Sequence, residues 1–220
     1  MKKRLFAIGD IHGCFESLRN LIENKIKLKR SDKLILLGDY IDRGTQSKDV
    51  IDFIIELQSK GFDIVPLMGN HEAMLIDALE NEENLSKWFY NRGGKTLMSF
   101  GIESLTDLDQ QYISFFKGLN LYHAFDNFLF VHAGFNDLID NPFNDKYLML
   151  WSRNTFYKHP LLIDKIIVHG HTPITKNQCQ ELVTTRNQTI NIDTGCVYSE
   201  YEGLGYLTAL ELFSYELFSV

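Results

Sequence analysis

Hydrophobic residues in the first third of the chain fall into short unbroken runs, each ended by glycine: RLFAIG at 4–9, KLILLG at 33–38 and DIVPLMG at 63–69. Runs of this length closed by a turn residue predict buried strands. Between them the period changes. Leu18, Leu21, Ile22 and Ile26 recur at helical spacing, as do Val50, Ile54 and Leu57 with Ile51 and Ile55, which predicts two amphipathic helices. Ser47 is expected to be the N-cap of the second and Gly61 its C-cap. Strand-helix-strand-helix-strand predicts parallel pairing with right-handed crossovers.

From about residue 72 to 118 the pattern is mostly helical, through HEAMLIDALE, NLSKWFYNRGG and DLDQQYISFFKGL, and predicts a helical insertion. Strand-like runs then return at 127–134, 165–170, 180–185 (QELVTT), 189–195 and 204–212 and in the tail SYELFSV. The short polar turns between the last of these predict an antiparallel second sheet. No repeat, low-complexity stretch or linker interrupts the chain, so residues 1–220 are expected to form a single α/β domain.

Composition narrows the function classes. A length of 220 residues, 45% of them hydrophobic, suffices for a full core. The net charge of −7 argues against a partner bound by bulk electrostatics, whether nucleic acid or anionic membrane. The opening MKKRLFAIGDIHG is basic, but Asp10 ends its apolar run after about five residues, short of a secretory core. Cys14, Cys179 and Cys196 form neither a metal spacing nor an even set. These features lead us to expect a cytoplasmic protein; oligomeric state is not readable.

The polar residues that matter lie just past the apolar runs. GDIHG (9–13), GDYIDRG (38–44) and GNHE (69–72) follow the first three, and later runs carry HAG (132–134) and HGHT (169–172). Each alone reads as a strand-ending turn, where Asp and Asn hydrogen-bond the backbone. Together they bring Asp, His and Asn to the carboxyl edge of a sheet, where open α/β sheets bind ligands. Such clustered acids are costly to bury unless cations sit among them. Oxygen and nitrogen donors without thiolate suit Mn, Fe or Zn, and two ions about 3.5–4 Å apart can clamp the attacking and leaving oxygens of a displacement at phosphorus.

In this order, GDIHG, GDYIDRG, GNHE, HAG and GHT resemble the metallophosphoesterases, in particular the short bacterial form of the PPP serine/threonine protein phosphatases. The resemblance spans nearly the whole chain. It implies a β-sandwich of two mixed sheets flanked by helices, with a parallel βαβαβ unit in the N-terminal half. It makes Asp10 and His12 ligands of a first metal, Asp39 the bridging carboxylate, and Asn70, His132 and His171 ligands of a second; Mn2+ is the expected ion, with Fe or Zn possible. The nucleophile it implies is a hydroxide held between the ions. His71 would protonate or stabilise the leaving alkoxide, Asp42 would orient His71, and Arg43 would grip the phosphate. Arg153 in LMLWSRN is the expected second phosphate ligand, with Arg92 in NRGG as its competitor. Glu72 is expected to be structural, Cys14 a small residue at the core edge, and Asp193 a support for a ligand histidine or for the closing turn. His169 is expected to need no metal.

The implied activity is that of a phosphomonoesterase acting on phosphoserine or phosphothreonine in proteins. The alternative is hydrolysis of dinucleoside polyphosphates such as diadenosine tetraphosphate. Asp42 and Glu72 lean towards the former, because symmetrical diadenosine tetraphosphatases of the superfamily tend to carry Asn and Asp there. An inactive phosphopeptide-binding scaffold is disfavoured by the filled motif positions. A phosphodiesterase is disfavoured by Pro173 after GHT.

Overall fold

A computed structural model describes residues 3–220. Strands β1 (Leu5–Ile8), β2 (Lys33–Leu36) and β3 (Asp63–Pro66) pair in parallel, as their spacing predicts. Helix α1 (Phe15–Asn20), extended by a π turn at Leu21–Lys25, and helix α2 (Ser47–Ser59) make the two connections. Ser47 is the first helical residue rather than the cap, a place taken by Gln46 without a side-chain bond.

Strand alternation sorts the core into layers. Phe6 and Ile8 pack with Leu18, Ile22, Val50 and Ile54 under the helices. Leu5 and Ala7 face the other way, against Phe128, Phe130, Val168 and Ile190 of a second sheet. That sheet contains β4 (Tyr122–Phe125), β5 (Phe128–Val131), β6 (Ile166–His169) and β7 (Thr189–Asn191). Its last three strands are parallel, and β4 adds antiparallel to β5.

Two expectations are corrected. The closing strands β8 (Thr208–Glu211) and β9 (Glu216–Ser219) form an antiparallel hairpin, but it extends the first sheet, β8 pairing with β1 in the order β3-β2-β1-β8-β9. The run QELVTT is not a strand; it completes a helix over Lys176–Thr184. Thr175 and Gln178 form a capping box at its start, and Cys179 and Val183, one turn apart, bury its inner face.

Helices α3 (Asn70–Glu80), α4 (Leu85–Tyr90), α5 (Gly94–Phe100) and α6 (Gln110–Lys117) follow β3. They add Leu75, Trp88 and Phe116 to the core beneath the first sheet. Helix α7 (Lys146–Trp151) lies between β5 and β6 in the chain, and the Lys176–Thr184 helix is α8. No helix among the described residues is long and apolar enough to cross a membrane.

Candidate metal centre

Three of the five motifs, GDIHG, GDYIDRG and HGHT, leave a strand through a backbone bend that ordinary residues rarely adopt. Ten described non-glycine residues have positive φ, and five of them are His12, Asp39, Asp42, Arg43 and His171, at φ of 45, 52, 68, 65 and 73°. Such conformations cost about 1–3 kcal/mol each and persist only where neighbours over-determine them. Here the neighbours are hydrogen bonds between the loops. The Asp39 carbonyl accepts from Ile11 N–H and His12 N–H at 3.1 and 2.8 Å. The buried Glu72 carboxylate accepts from the N–H groups of Asp39, Tyr40, Gly69 and Ile41 at 2.9, 2.8, 3.0 and 3.3 Å. Glu72 is thus a staple between the GDYIDRG and GNHE loops. Gly69 and Gly170 are required by close approach, since a Cβ at either would overlap a carboxylate oxygen, of Asp39 and of Asp10 respectively.

Asp39 sits at the middle of the side-chain cluster. Its Oδ2 lies 3.4 Å from His12 Nε2 and 3.9 Å from His71 Nε2, while its Oδ1 lies 3.5 Å from His132 Nε2. His12, Asp39 and His71 form one group with donor atoms mutually within 4.8 Å; Asp39, His132 and His171 form a second. Asn70 joins the second group, its Oδ1 at 2.9 Å from both His132 Nε2 and His171 Nδ1. Asp10 stands beside these groups, both oxygens accepting from His171 N–H at 3.2 Å.

The proton positions follow from the backbone. His12 Nδ1 faces the Ile41 carbonyl at 2.8 Å and His132 Nδ1 the Leu37 carbonyl at 2.9 Å. A carbonyl only accepts, so each Nδ1 carries the proton and each Nε2 turns a lone pair inward. Burial lowers the pKa of both rings, and burial with the neighbouring His132 takes His171 down to about 3, so all three favour the neutral form. Asp10 is raised well above the carboxylate range by burial and by the charges of Asp193 and Asp39. Burial and the Asp39 charge take Asp193 up to about 7, against the hydrogen bond it accepts from Gly195 N–H. Neutral imidazole lone pairs, an amide oxygen and crowded carboxylates therefore converge, an arrangement that fits divalent cations.

His71 differs from the other rings. Its Nδ1 meets Asp42 Oδ2 at 2.6 Å, and its Nε2 is buried without any hydrogen-bond partner. Asp42 also accepts from Trp88 Nε1–H at 3.0 Å and from the Thr96 hydroxyl at 2.6 Å. Burial raises the Asp42 pKa, while the three donors at these distances work against burial and favour the carboxylate. Burial would lower the His71 pKa; the Asp39 charge and the Asp42 hydrogen bond outweigh it and hold the imidazole above its ordinary value. The cluster thus contains a histidine disposed to carry a proton, aimed by a carboxylate.

Trp88 and Thr96 were not singled out from the sequence. The available signal was NRGGKT: Gly93 lies flat against the Trp88 indole, where a Cβ would overlap the ring. His169 ends β6, belongs to neither donor group, and directs Nδ1 to the Gly170 carbonyl at 3.2 Å. Arg43 reaches His12 Nε2 with its guanidinium and lies over the Tyr198 ring, 5.7 Å from its centroid. Arg153 is exposed just past α7, near enough for its charge to contribute to lowering His171.

Known proteins share the sequence pattern and the fold. The sequence profile described as calcineurin-like phosphoesterase matches residues 3–198. An asymmetrical bis(5'-nucleosyl)-tetraphosphatase, PrpE, of Anoxybacillus flavithermus is 29% identical across 97% of this chain and 92% of its own. Serine/threonine-protein phosphatase 2 of Salmonella typhimurium is 26% identical across 88% of each. Among solved structures, a putative diadenosine tetraphosphatase superposes with a TM-score of 0.71 at 18% identity, over 99% of this chain and 93% of the other. A match over nearly the full length, on a fold whose motif loops meet around Asp39, means that the chain belongs to the calcineurin-like phosphoesterase family of metal-dependent hydrolases.

Proposed function

We propose that the chain hydrolyses dinucleoside polyphosphates at a centre of two divalent cations, with Asp10, His12 and Asp39 holding one ion and Asp39, Asn70, His132 and His171 the other. The observation that carries the two-ion reading is the position of Asp39, whose two oxygens face two separate donor groups. Cations bound there supply Lewis-acid polarisation of the phosphoryl oxygens and a water acidic enough to attack near neutral pH. Mn2+ is the ion we assign first, with Fe or Zn compatible with the same donors. Arg43 and Arg153 are assigned to the phosphate oxygens, where planar guanidinium forks fit well. His71, held by Asp42, delivers its proton from Nε2 to the departing oxygen.

Support for the nucleotide substrate comes from the tetraphosphatase relative that matches both chains over more than nine-tenths of their length. Phosphoserine and phosphothreonine in proteins are the second reading. It is favoured by the Asp42–His71 pair, because an alkoxide needs a proton on leaving far more than a phosphate does, and by the Salmonella relative. The test is kcat/KM with Mn2+ on diadenosine tetraphosphate beside phosphoserine, phosphothreonine and phosphotyrosine peptides. Diadenosine tetraphosphate should give the highest value, with ATP and AMP as products. A phosphopeptide exceeding it would replace the first reading by the second.

A further inference from the structure

The geometry points to a separate subsite for the non-reacting phosphates of the substrate, built from Arg92 and Lys95, floored by Tyr198 and joined to the metal centre through Arg43. It rests on the nucleotide reading above and adds residues to it. A cavity of about 490 Å3 opens beside the centre, lined by these four residues with Tyr90 and Tyr201, within the range of about 300–1,000 Å3 usual for small-ligand sites. Its charge runs against that of the whole chain: three cations line it in a protein of net charge −7, with Glu200 the one carboxylate among the lining residues. Among the described residues none of the three cations is paired with a carboxylate.

Neither Arg92 nor Lys95 has an evident role in the fold. Both are exposed, and Arg92 holds φ at 72°, where glycine is more at ease. Their backbone is nonetheless fixed to the reacting site. Arg92 precedes Gly93, which lies against Trp88, and Lys95 precedes Thr96; Trp88 and Thr96 both donate to Asp42. The backbone that carries Arg92 and Lys95 is therefore anchored to the residues that hold Asp42, and through it His71. Arg43 spans the two regions, with its guanidinium at His12 and over the Tyr198 ring. Tyr198 and Tyr201 stand edge to face, 6.0 Å between centroids, and offer flat apolar surface of the kind on which nucleobases stack. Cations followed by aromatic faces match a phosphate chain that ends in a base better than they match a phosphorylated side chain alone.

The test uses R92G/K95A, chosen because glycine suits the Arg92 backbone and alanine suits a helix. Inhibition of p-nitrophenyl phosphate hydrolysis by inorganic tripolyphosphate should weaken roughly tenfold or more, the scale of losing a charge-assisted contact. The ratio of kcat/KM for diadenosine tetraphosphate to that for p-nitrophenyl phosphate should fall by a similar factor. Y198L should lower that ratio while leaving tripolyphosphate inhibition in place. Unchanged tripolyphosphate inhibition and an unchanged ratio in R92G/K95A would overturn the subsite. So would an acidic phosphopeptide losing kcat/KM while tripolyphosphate inhibition stays the same, because the cavity would then read peptide. If the wild-type chain leaves diadenosine tetraphosphate intact, the substrate reading fails by itself, and the tripolyphosphate comparison still decides the subsite.

Discussion

Asp39→Asn should abolish hydrolysis and release bound metal in the same step. Asparagine preserves the shape of the side chain but removes its charge and turns one oxygen into an N–H donor, which cannot ligate. In the native site Oδ2 faces His12 and Oδ1 faces His132, so either amide orientation spoils one side. Despite burial, the positive charges of His71 and Arg43 hold the carboxylate anionic. Replacing even a residue that merely supports a ligand costs about 10–100-fold in metal affinity, and a shared ligand should cost more than the upper figure. Elemental analysis of dialysed protein alongside hydrolysis of p-nitrophenyl phosphate checks this. Two ions retained with full activity would remove Asp39 from its bridging place.

His71→Asn should behave differently: metal content near normal, kcat sharply reduced, and a reduction that depends on the leaving group. The native ring is gripped at Nδ1 by Asp42, itself fixed by Trp88 and Thr96, and leaves Nε2 as the free proton-bearing atom. A positioned general acid contributes about 10²–10⁴-fold. Phosphoserine, whose alkoxide is a poor leaving group, should lose kcat on that scale, while p-nitrophenyl phosphate, whose phenolate departs unaided, should lose much less. Equal losses on both substrates, or loss of metal, would make His71 a ligand or a packing residue instead. The second outcome is a real contest, because His71 Nε2 stands as close to the Asp39 group as a ligand would.

Much of the site was legible because its parts are local. Each motif is a strand end, a turn and two or three polar side chains, and those short-range features survive in the sequence as GDIHG, GDYIDRG, GNHE and HGHT. The pair in HGHT is the instructive case. Positions two apart share a face only while a strand continues, but β6 stops at His169 and His171 turns to φ 73°. The rings therefore separate, and His171 alone enters a donor group.

What escaped the sequence was set by distant partners. Trp88 and Thr96 meet Asp42 across 46 and 54 residues of chain, and the paired glycines of NRGGKT signal close packing there without naming the distant partner. The β8–β9 hairpin reads correctly as antiparallel, yet its choice of β1 as neighbour depends on which edge the rest of the fold leaves available. In QELVTT, the β-branched residues at the end outweighed a capping box that begins five residues earlier at Thr175, an instance of local propensity misjudged in too short a window. Strand β4, with alternately exposed and half-buried residues, carries too little apolar signal to mark itself.

The central claim is that two cations share Asp39 and that both are needed for hydrolysis. Adding Mn2+ stepwise to metal-stripped protein while following bound ion and p-nitrophenyl phosphate turnover tests it directly. Activity should remain low through the first equivalent, rise with the second, and level off at two ions per chain. A plateau at one ion, or turnover by the stripped protein, would contradict it.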